Sequence, residues 1–269
     1  MHALEWRQRL NFNFAPKFVC TLLQFLNLNC PNQQIINQHS VDIHIAFGYK
    51  DTRPTLFVGD RYERLYLIQF LTRPCKQAKN NICGFIRDDQ DGDSFNRIFS
   101  LSKTNNLNVR IKLTPSSVGP NDDLNRQNPY QNVQSLISEN NLLSGLNSAF
   151  ATFYIGHSRD GGGPDFSPPK MSATKDVDFN WYRSNKPGIN KVLAAMGSSQ
   201  FKQNQIFGML SCLSSKHFEK SISELSPRVR FVSTSKLIYY TEALDQSLRE
   251  VSKAIREQLV AAASGASSP

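Results

Sequence analysis

The sequence predicts an α/β protein in which helices cover both faces of a mostly parallel sheet, as a three-layer sandwich. From about residue 80 onward, short apolar runs of strand length alternate with segments of helical spacing. Such alternation is typical of βαβ units, whose right-handed crossovers make the strands parallel. The chain has 269 residues, enough for one large domain of this kind.

Residues 1–40 are predicted to be a lead-in to the domain. Basic residues, among them Arg7 and Arg9, precede an apolar stretch at 18–28, a pattern that is typical of an export signal. Gln24 interrupts the stretch, so an amphipathic segment packed on the domain is the alternative, with a cytoplasmic location. No stretch reaches the length of a membrane span, and no integral membrane segment is predicted.

Residues 41–79 are predicted to be an N-terminal decoration ahead of the main domain. The segment 41–47 alternates with period two and predicts a strand that leaves His44 at the surface. Residues 62–71 fit a helix or a strand equally well. The main domain is expected over 80–260, followed by a disordered tail at 261–269.

The elements of the main domain follow from their apolar patterns. Strands are predicted over 81–86, 109–113, 151–155, 206–210 and 229–232, and helices over 94–102, 133–146, 191–196, 218–225 and 242–260. The segment 158–188 is rich in Gly, Pro, Ser and Asp and is predicted to be a long loop. Loops of that length in compact domains are usually functional or disordered.

The charge of the chain points to no particular partner class. Lys and Arg number 31 against 22 Asp and Glu, a formal net charge of +9, but the basic residues are scattered. We find no dense basic run and no nucleic-acid motif, so no nucleic-acid partner is predicted. The histidines show no metal-ligand spacing, and neither a metal nor another cofactor is predicted. His217 lies among polar residues and is expected at the surface.

The chain contains five cysteines, an odd number. They are Cys20, Cys30, Cys75, Cys83 and Cys212. A Cys75–Cys83 pair would close a small loop and would suit an oxidising compartment, whereas in a reducing compartment all five are thiols. With that pair formed, Cys212 is the cysteine that lies in a reactive context; the alternative for Cys212 is a small buried apolar residue of the core.

His157 and Cys212 each follow a short apolar run, at 151–155 and 206–210. Ligands of open α/β sheets lie at the carboxyl ends of the strands, so the two side chains are expected to meet in one crevice. A thiol needs a base within hydrogen-bond reach to act as a nucleophile at neutral pH. The helix predicted after Cys212 would favour the thiolate through its positive end.

These two blocks resemble motifs of the caspase–hemoglobinase fold, the cysteine peptidases that include caspases, legumains and gingipains. The matching segments are Phe153-Tyr-Ile-Gly-His157-Ser158 and Met209-Leu-Ser-Cys212-Leu-Ser-Ser215. The resemblance implies a caspase-like sandwich and an endopeptidase acting on a peptide or protein, with Cys212 as nucleophile and His157 as acid and base. It also implies that the backbone N–H groups of Ser158 and Cys212 bind the oxyanion. The family usually has Gly where this chain has Ser158, whose Cβ must be accommodated.

In this family, part of the pocket for the substrate's P1 side chain often lies beyond the first core strand. In this sequence that position falls on Arg87, Asp88 and Asp89. The two acids would hold a basic P1 side chain, and Arg87 an acidic one. The alternative is a solvated turn that caps the helix predicted near Phe95.

Two other functions compete with the peptidase. The fold could be a catalytically inactive binding or scaffold module, as inactive relatives of peptidases are. Ser158 could instead be the nucleophile of a serine hydrolase, but Asp160 stands where the nucleophile elbow requires Gly.

Overall fold

The computed structural model describes residues 37–50, 59–77, 80–103, 105–198 and 205–264. Residues 38–269 form one compact unit by their contacts. The export-like segment at 18–28 and the tail from residue 265 lie outside the described residues. So do Cys20 and Cys30.

The described residues form one seven-stranded sheet. Its strands are β1 (Asn37–Phe47), β2 (Ile86–Arg87), β3 (Ser94–Ser100), β4 (Asn105–Thr114), β5 (Ala151–Ile155), β6 (Ile206–Leu210) and β7 (Arg230–Val232). The helices are α1 (Asp60–Thr72), α2 (Asp122–Gln127), α3 (Gln131–Ser148), α4 (Phe179–Asn185), α5 (Pro187–Met196), α6 (Lys220–Leu225) and α7 (Tyr240–Ala263). A 3₁₀ turn spans Arg159–Gly161, and a π-helical turn spans Ser215–Glu219.

The strand order is β2-β3-β4-β1-β5-β6-β7. Strands β1, β5, β6 and β7 pair in parallel, whereas β2, β3 and β4 pair antiparallel. This confirms the prediction of an α/β fold with a mostly parallel sheet. Strand β1 lies between β4 and β5, so the part of the predicted N-terminal decoration that forms β1 belongs to the same sheet as the strands of the main domain.

Helices cover both faces of the sheet, as expected for a three-layer arrangement. Side chains of β5 alternate: Phe153 and Ile155 pack with α1 and α7, and Tyr154 packs with α3, α5 and α6. Helix α7 buries one apolar stripe, formed by Leu244, Leu248, Val251 and Ile255. Fully burying one such side chain contributes about 2 kcal/mol to the free energy of unfolding. The stripe therefore holds α7 against the sheet.

The segment 94–102 was predicted to be a helix, but residues 94–100 form strand β3. Phe95 and Phe99 are four residues apart, a spacing that places two residues on one face of either a helix or a strand. Pairing decides between them, because β3 runs antiparallel to β4 from Ser94 opposite Lys112 to Ser100 opposite Asn106. In strand β3, Phe95 is fully buried, while Ile98 on the other face is exposed.

Helix α3 confirms the helix predicted over 133–146, but its buried face is more polar than the apolar pattern indicates. Val133, Leu136 and Ile137 are exposed. Ser138 is buried instead and donates to the carbonyl of Thr114, and Asn141 donates to the hydroxyl of Thr114 at 2.9 Å. These hydrogen bonds attach the helix to the end of β4.

The structure also bears on four further expectations. Residues 62–71 lie in helix α1, and the long loop at 158–188 contains the 3₁₀ turn and α4. His44 is not a surface residue: its Nδ1 lies 3.0 Å from the carbonyl oxygen of Asn141, and burial lowers its pKa. Cys75 and Cys83 form a disulfide.

None of the described helices has the length and apolar character needed to cross a membrane.

Candidate active site

The two residues of the predicted dyad leave the sheet at the same edge. Ile155 of β5 pairs with Leu210 of β6, and the amide of Gly156 continues the pairing by donating to the carbonyl of Leu210. His157 lies two residues after Ile155, and Cys212 lies two residues after Leu210. Adjacent strands are about 4.8 Å apart, so the backbones of these residues emerge side by side.

The backbone at His157 is fixed by Tyr154, which points to the helix α3 side of β5. The Tyr154 hydroxyl donates to the carbonyl of His157 and accepts from the amide of Asp165, both at 3.0 Å. A Cβ on Gly156 would lie 2.4 Å from that hydroxyl oxygen, and one on Gly48 would lie 2.2 Å from it. Glycine is therefore required at both positions for the hydroxyl to reach the loop.

The chain beyond His157 adopts a strained conformation that sequence patterns did not predict. Arg159 and Asp160 have φ of 47° and 52°, in the left-handed region that non-glycine residues rarely adopt. Arg159 is buried, and its Nε donates to Asp165 at 2.7 Å; the Tyr182 hydroxyl donates to the same carboxylate. Burial raises the pKa of Asp165, and Arg159 opposes that effect. Backbone strain of this kind concentrates at functional sites.

Cys212 is the one free cysteine among the described residues, and it is half-buried. Its thiol lies 3.7 Å from the carbonyl oxygen of Ile238, to which it donates. The next residue, Leu213, has φ of 53°, and its amide donates to Lys236 at 3.0 Å. The amide of Ser215 donates to Thr234. The segment 234–238 therefore runs alongside the cysteine.

Two amides at this edge are unsatisfied within the described part of the chain. Neither the N–H of Ser158 nor that of Cys212 has an acceptor there, although the amides of Leu213 and Ser214 both donate to carbonyls. Ser158 is only 6% exposed. Its φ of −75° is an ordinary value, so the Cβ that replaces the hydrogen of glycine is accommodated. An N–H group that has no acceptor in the protein is available to an anionic ligand atom.

Tyr240, the first residue of α7, contacts His157 and was not predicted. Its hydroxyl oxygen lies 3.1 Å from Nε2 of His157, and the rings meet edge to face at 5.9 Å between centroids. On the ring of Tyr240 lies Lys50, whose Nζ is 3.5 Å from the ring centroid. Lys50 follows β1 by three residues, so a third strand end contributes to the site.

Lys50 forms a buried ion pair with Glu63 of α1. Burial lowers the pKa of Lys50, while the nearby carboxylates of Glu63 and Asp60 act in the opposite direction. Burial raises the pKa of Glu63 to about 7, against the effect of Lys50. Asp60 accepts from the amides of Ser116 and Ser117 and anchors the chain after β4.

Arg87 ends β2, and Asp88 and Asp89 lie in the β2–β3 turn. Strands β4 and β1 separate that hairpin from β5. The Nε of Arg87 donates to the carbonyl of Gly92, and Asp88 accepts from the amide of Gln90. These bonds hold the turn together. The pocket was expected beyond the first core strand. Among the parallel strands, the first in the chain is β1, and it is followed by Gly48 to Lys50 rather than by this turn. The structure therefore does not bring the predicted pocket residues to His157.

A second histidine lies close to the loop that follows β5. The side chain of His217 is 15% exposed rather than at the surface, and its Nε2 is 3.9 Å from Asp160. Burial lowers the pKa of His217, and Asp160 opposes that shift. Within the described ranges, no three His, Cys, Asp or Glu side chains are grouped as metal ligands.

A scan against protein-family models finds no match to this chain, and no curated protein matches its sequence.

Proposed function

We propose that the protein is a cysteine endopeptidase with a caspase-like fold, in which Cys212 and His157 form the catalytic dyad. The observation that supports this most strongly is the position of the two residues at one edge of adjacent parallel strands. The same edge carries the two unsatisfied amides of Ser158 and Cys212. Nucleophile, base and anion-binding donors are thus available together, which is the set that acyl transfer requires.

The strand order agrees with the resemblance in the sequence motifs. A histidine at the end of one strand and a cysteine at the end of its neighbour are what the caspase-like arrangement requires. Strand β5 carries the first and β6 the second, with helices on both faces of the sheet. The substrate would be an extended segment of a peptide or protein, whose scissile carbonyl lies over the two amides.

In the proposed reaction, the Cys212 thiol gives its proton to His157, and the sulfur attacks the scissile carbonyl carbon. The amides of Ser158 and Cys212 donate to the resulting oxyanion, a contribution of about 3 kcal/mol per donor. His157 protonates the leaving nitrogen as the C–N bond breaks, which leaves a thioester. Water then gives a proton to His157, attacks the thioester and releases the carboxylate, and the thiol regains its proton.

A binding or scaffold role is the second candidate, because the segment 234–238 lies beside Cys212 and its Ile238 carbonyl accepts from the thiol. Substrate attack requires that contact to break. A serine hydrolase has less support: Ser158 is buried, and the left-handed Arg159 follows it where a nucleophile elbow needs a helix.

The experiment is a screen of fluorogenic peptides with Arg, Lys, Asn or Asp at P1. We expect the parent chain to cleave at least one class and Cys212→Ala or His157→Ala to lose about a thousandfold in turnover or more. His39→Ala is the matched control, because His39 lies near the amino end of β1, at the opposite edge of the sheet. Full activity in either dyad variant would refute the peptidase mechanism, and a parent that cleaves none of the classes would favour the scaffold.

A further inference from the structure

We infer that the segment 234–239 is a strap that restrains Cys212, and that Glu242 is the latch that keeps the strap in place. The strap lies between β7 and helix α7, and the carbonyl of its Ile238 accepts from the Cys212 thiol at 3.7 Å. This inference rests on Cys212 as the proposed nucleophile and adds regulation of the same site.

The contact between Cys212 and Ile238 depends on the proton that the reaction must remove. A thiol donates to a carbonyl oxygen through its proton, whereas the nucleophile is the thiolate, which has no proton to donate. A thiolate at the same place would face the negative end of the carbonyl dipole. The strap carbonyl must therefore move away from the sulfur before the sulfur attacks a substrate.

The strap is held along the chain that follows Cys212. The amide of Leu213 donates to the carbonyl of Lys236 at 3.0 Å. The amide of Ser215 donates to the carbonyl of Thr234, also at 3.0 Å. The two stretches run in opposite directions, as in an antiparallel pair, so the strap lies beside the cysteine over several residues.

The two ends of the strap are held differently. Thr234 is 6% exposed; its amide donates to the Ser214 hydroxyl at 2.8 Å, and its own hydroxyl donates to the carbonyl of Ser211. Toward the other end, Leu237 and Tyr239 are 70% and 79% exposed. That end can lift away from the thiol without uncovering the core.

Glu242 fixes the exposed end of the strap. One of its carboxylate oxygens accepts from the amide of Tyr239 at 3.1 Å, and the other pairs with the Lys236 ammonium at 3.0 Å. Glu242 lies in the first turn of α7, which packs on the sheet through Leu248. Both contacts of the latch are at the surface, where an ion pair contributes little, so the strap is held weakly enough to open during catalysis.

The test compares Glu242→Ala with Asp245→Ala, which removes an exposed carboxylate from the same helix without touching the strap. Iodoacetamide is the probe of Cys212, with the Cys212→Ala chain as the blank. We expect alkylation at neutral pH to become about fivefold faster in Glu242→Ala, the effect of one lost hydrogen bond on the opening of the strap. Asp245→Ala should keep the parent rate.

Hydrogen exchange of single amides, followed by NMR, shows whether the strap itself has opened. The Leu213 amide, which donates to the strap, should exchange about fivefold faster in Glu242→Ala. The next amide, that of Ser214, donates to Ser211 within its own turn and should exchange at the parent rate. General destabilisation of the chain would instead speed both amides and would contradict the inference.

A second variant, Leu237→Gly, loosens the strap without altering Glu242 or the start of α7. Glycine gives the backbone more freedom, so the same two rates should rise. If the Leu213 amide exchanges faster in either variant while alkylation of Cys212 stays at the parent rate, the strap does not restrain the thiol. Unchanged exchange in both variants would equally overturn the inference.

Peptide cleavage separates the inference from the function on which it rests. If no chain cleaves any of the fluorogenic peptides but both strap variants alkylate faster, the strap restrains the thiol and the peptidase assignment is wrong. If the parent cleaves a peptide and both variants alkylate at the parent rate, the peptidase assignment stands and the strap is excluded.

Discussion

The carboxyl ends of β5 and β6 and the β2–β3 turn are both rich in polar groups, but they use them differently. In the turn, polar groups are satisfied locally: Asp91 accepts from the Ser94 hydroxyl at 2.8 Å and pairs with Arg110 and Lys112. At the strand ends, two amides lack acceptors in the described chain, and the contacts join residues far apart in sequence.

This difference shows that an acidic composition alone does not define a binding pocket. A run of acids next to an arginine has the composition of a binding pocket, yet its hydrogen bonds are used within the hairpin. At the strand ends, by contrast, the buried ion pair, the strained backbone and the unsatisfied amides arise only when β1, β5 and β6 are brought together.

The largest expected effect on stability comes from replacing Lys50. It measures how strongly the carboxyl ends of the strands depend on contacts between residues far apart in sequence. Lys50→Met leaves the carboxylate of Glu63 buried without its partner and is expected to lower the free energy of unfolding by about 3 to 5 kcal/mol. The double variant Lys50→Met/Glu63→Leu removes both charges and should recover most of that loss. Urea denaturation measures both. A Lys50→Met chain as stable as the parent would show that the pair is not buried as described.

A smaller effect is expected in the turn. Partial burial acts to raise the pKa of Asp91, but the Ser94 hydroxyl and Lys112 outweigh it and hold the pKa at about 2. The ionised carboxylate therefore stabilises the fold above an unfolded pKa near 4, and the contribution is lost as the pH falls through about 2.

Asp91→Asn is accordingly expected to cost about 1 kcal/mol at pH 7, after allowance for the exposure of the side chain, and almost nothing at pH 2. Thermal unfolding of the two chains across this pH range measures the difference. Peptide cleavage and Cys212 alkylation should be unchanged. A loss of either in Asp91→Asn would contradict the separation of the turn from the site.

The parts of the fold that the sequence predicts best are those fixed by local pattern. The bounds of β5 and β6 match the predicted runs at 151–155 and 206–210, because each is apolar throughout and ends at turn residues. Strand β3 was predicted wrongly because its aromatic spacing fits two periodicities. The place of β1 inside the sheet depends on pairing with distant strands, which no local pattern specifies.

The candidate site divides in the same way. His157 and Cys212 follow recognisable strands, so their positions at the sheet edge can be inferred from the chain alone. Tyr240 belongs to a helix predicted to begin at 242 and reaches the imidazole only through the packing of α7. Lys50 follows β1, a strand that the sequence patterns placed in an N-terminal decoration outside the main domain. Residues that act across the fold in this way are visible only once the layers are assembled.

The most direct measurement of the central claim is the rate at which iodoacetamide alkylates Cys212 at pH 7, with and without the imidazole of His157. If the two side chains act together, His157→Ala should slow that rate at least tenfold, while His39→Ala leaves it at the parent value. Equal rates in all three chains would mean that the histidine does not activate the sulfur, and the dyad would be excluded.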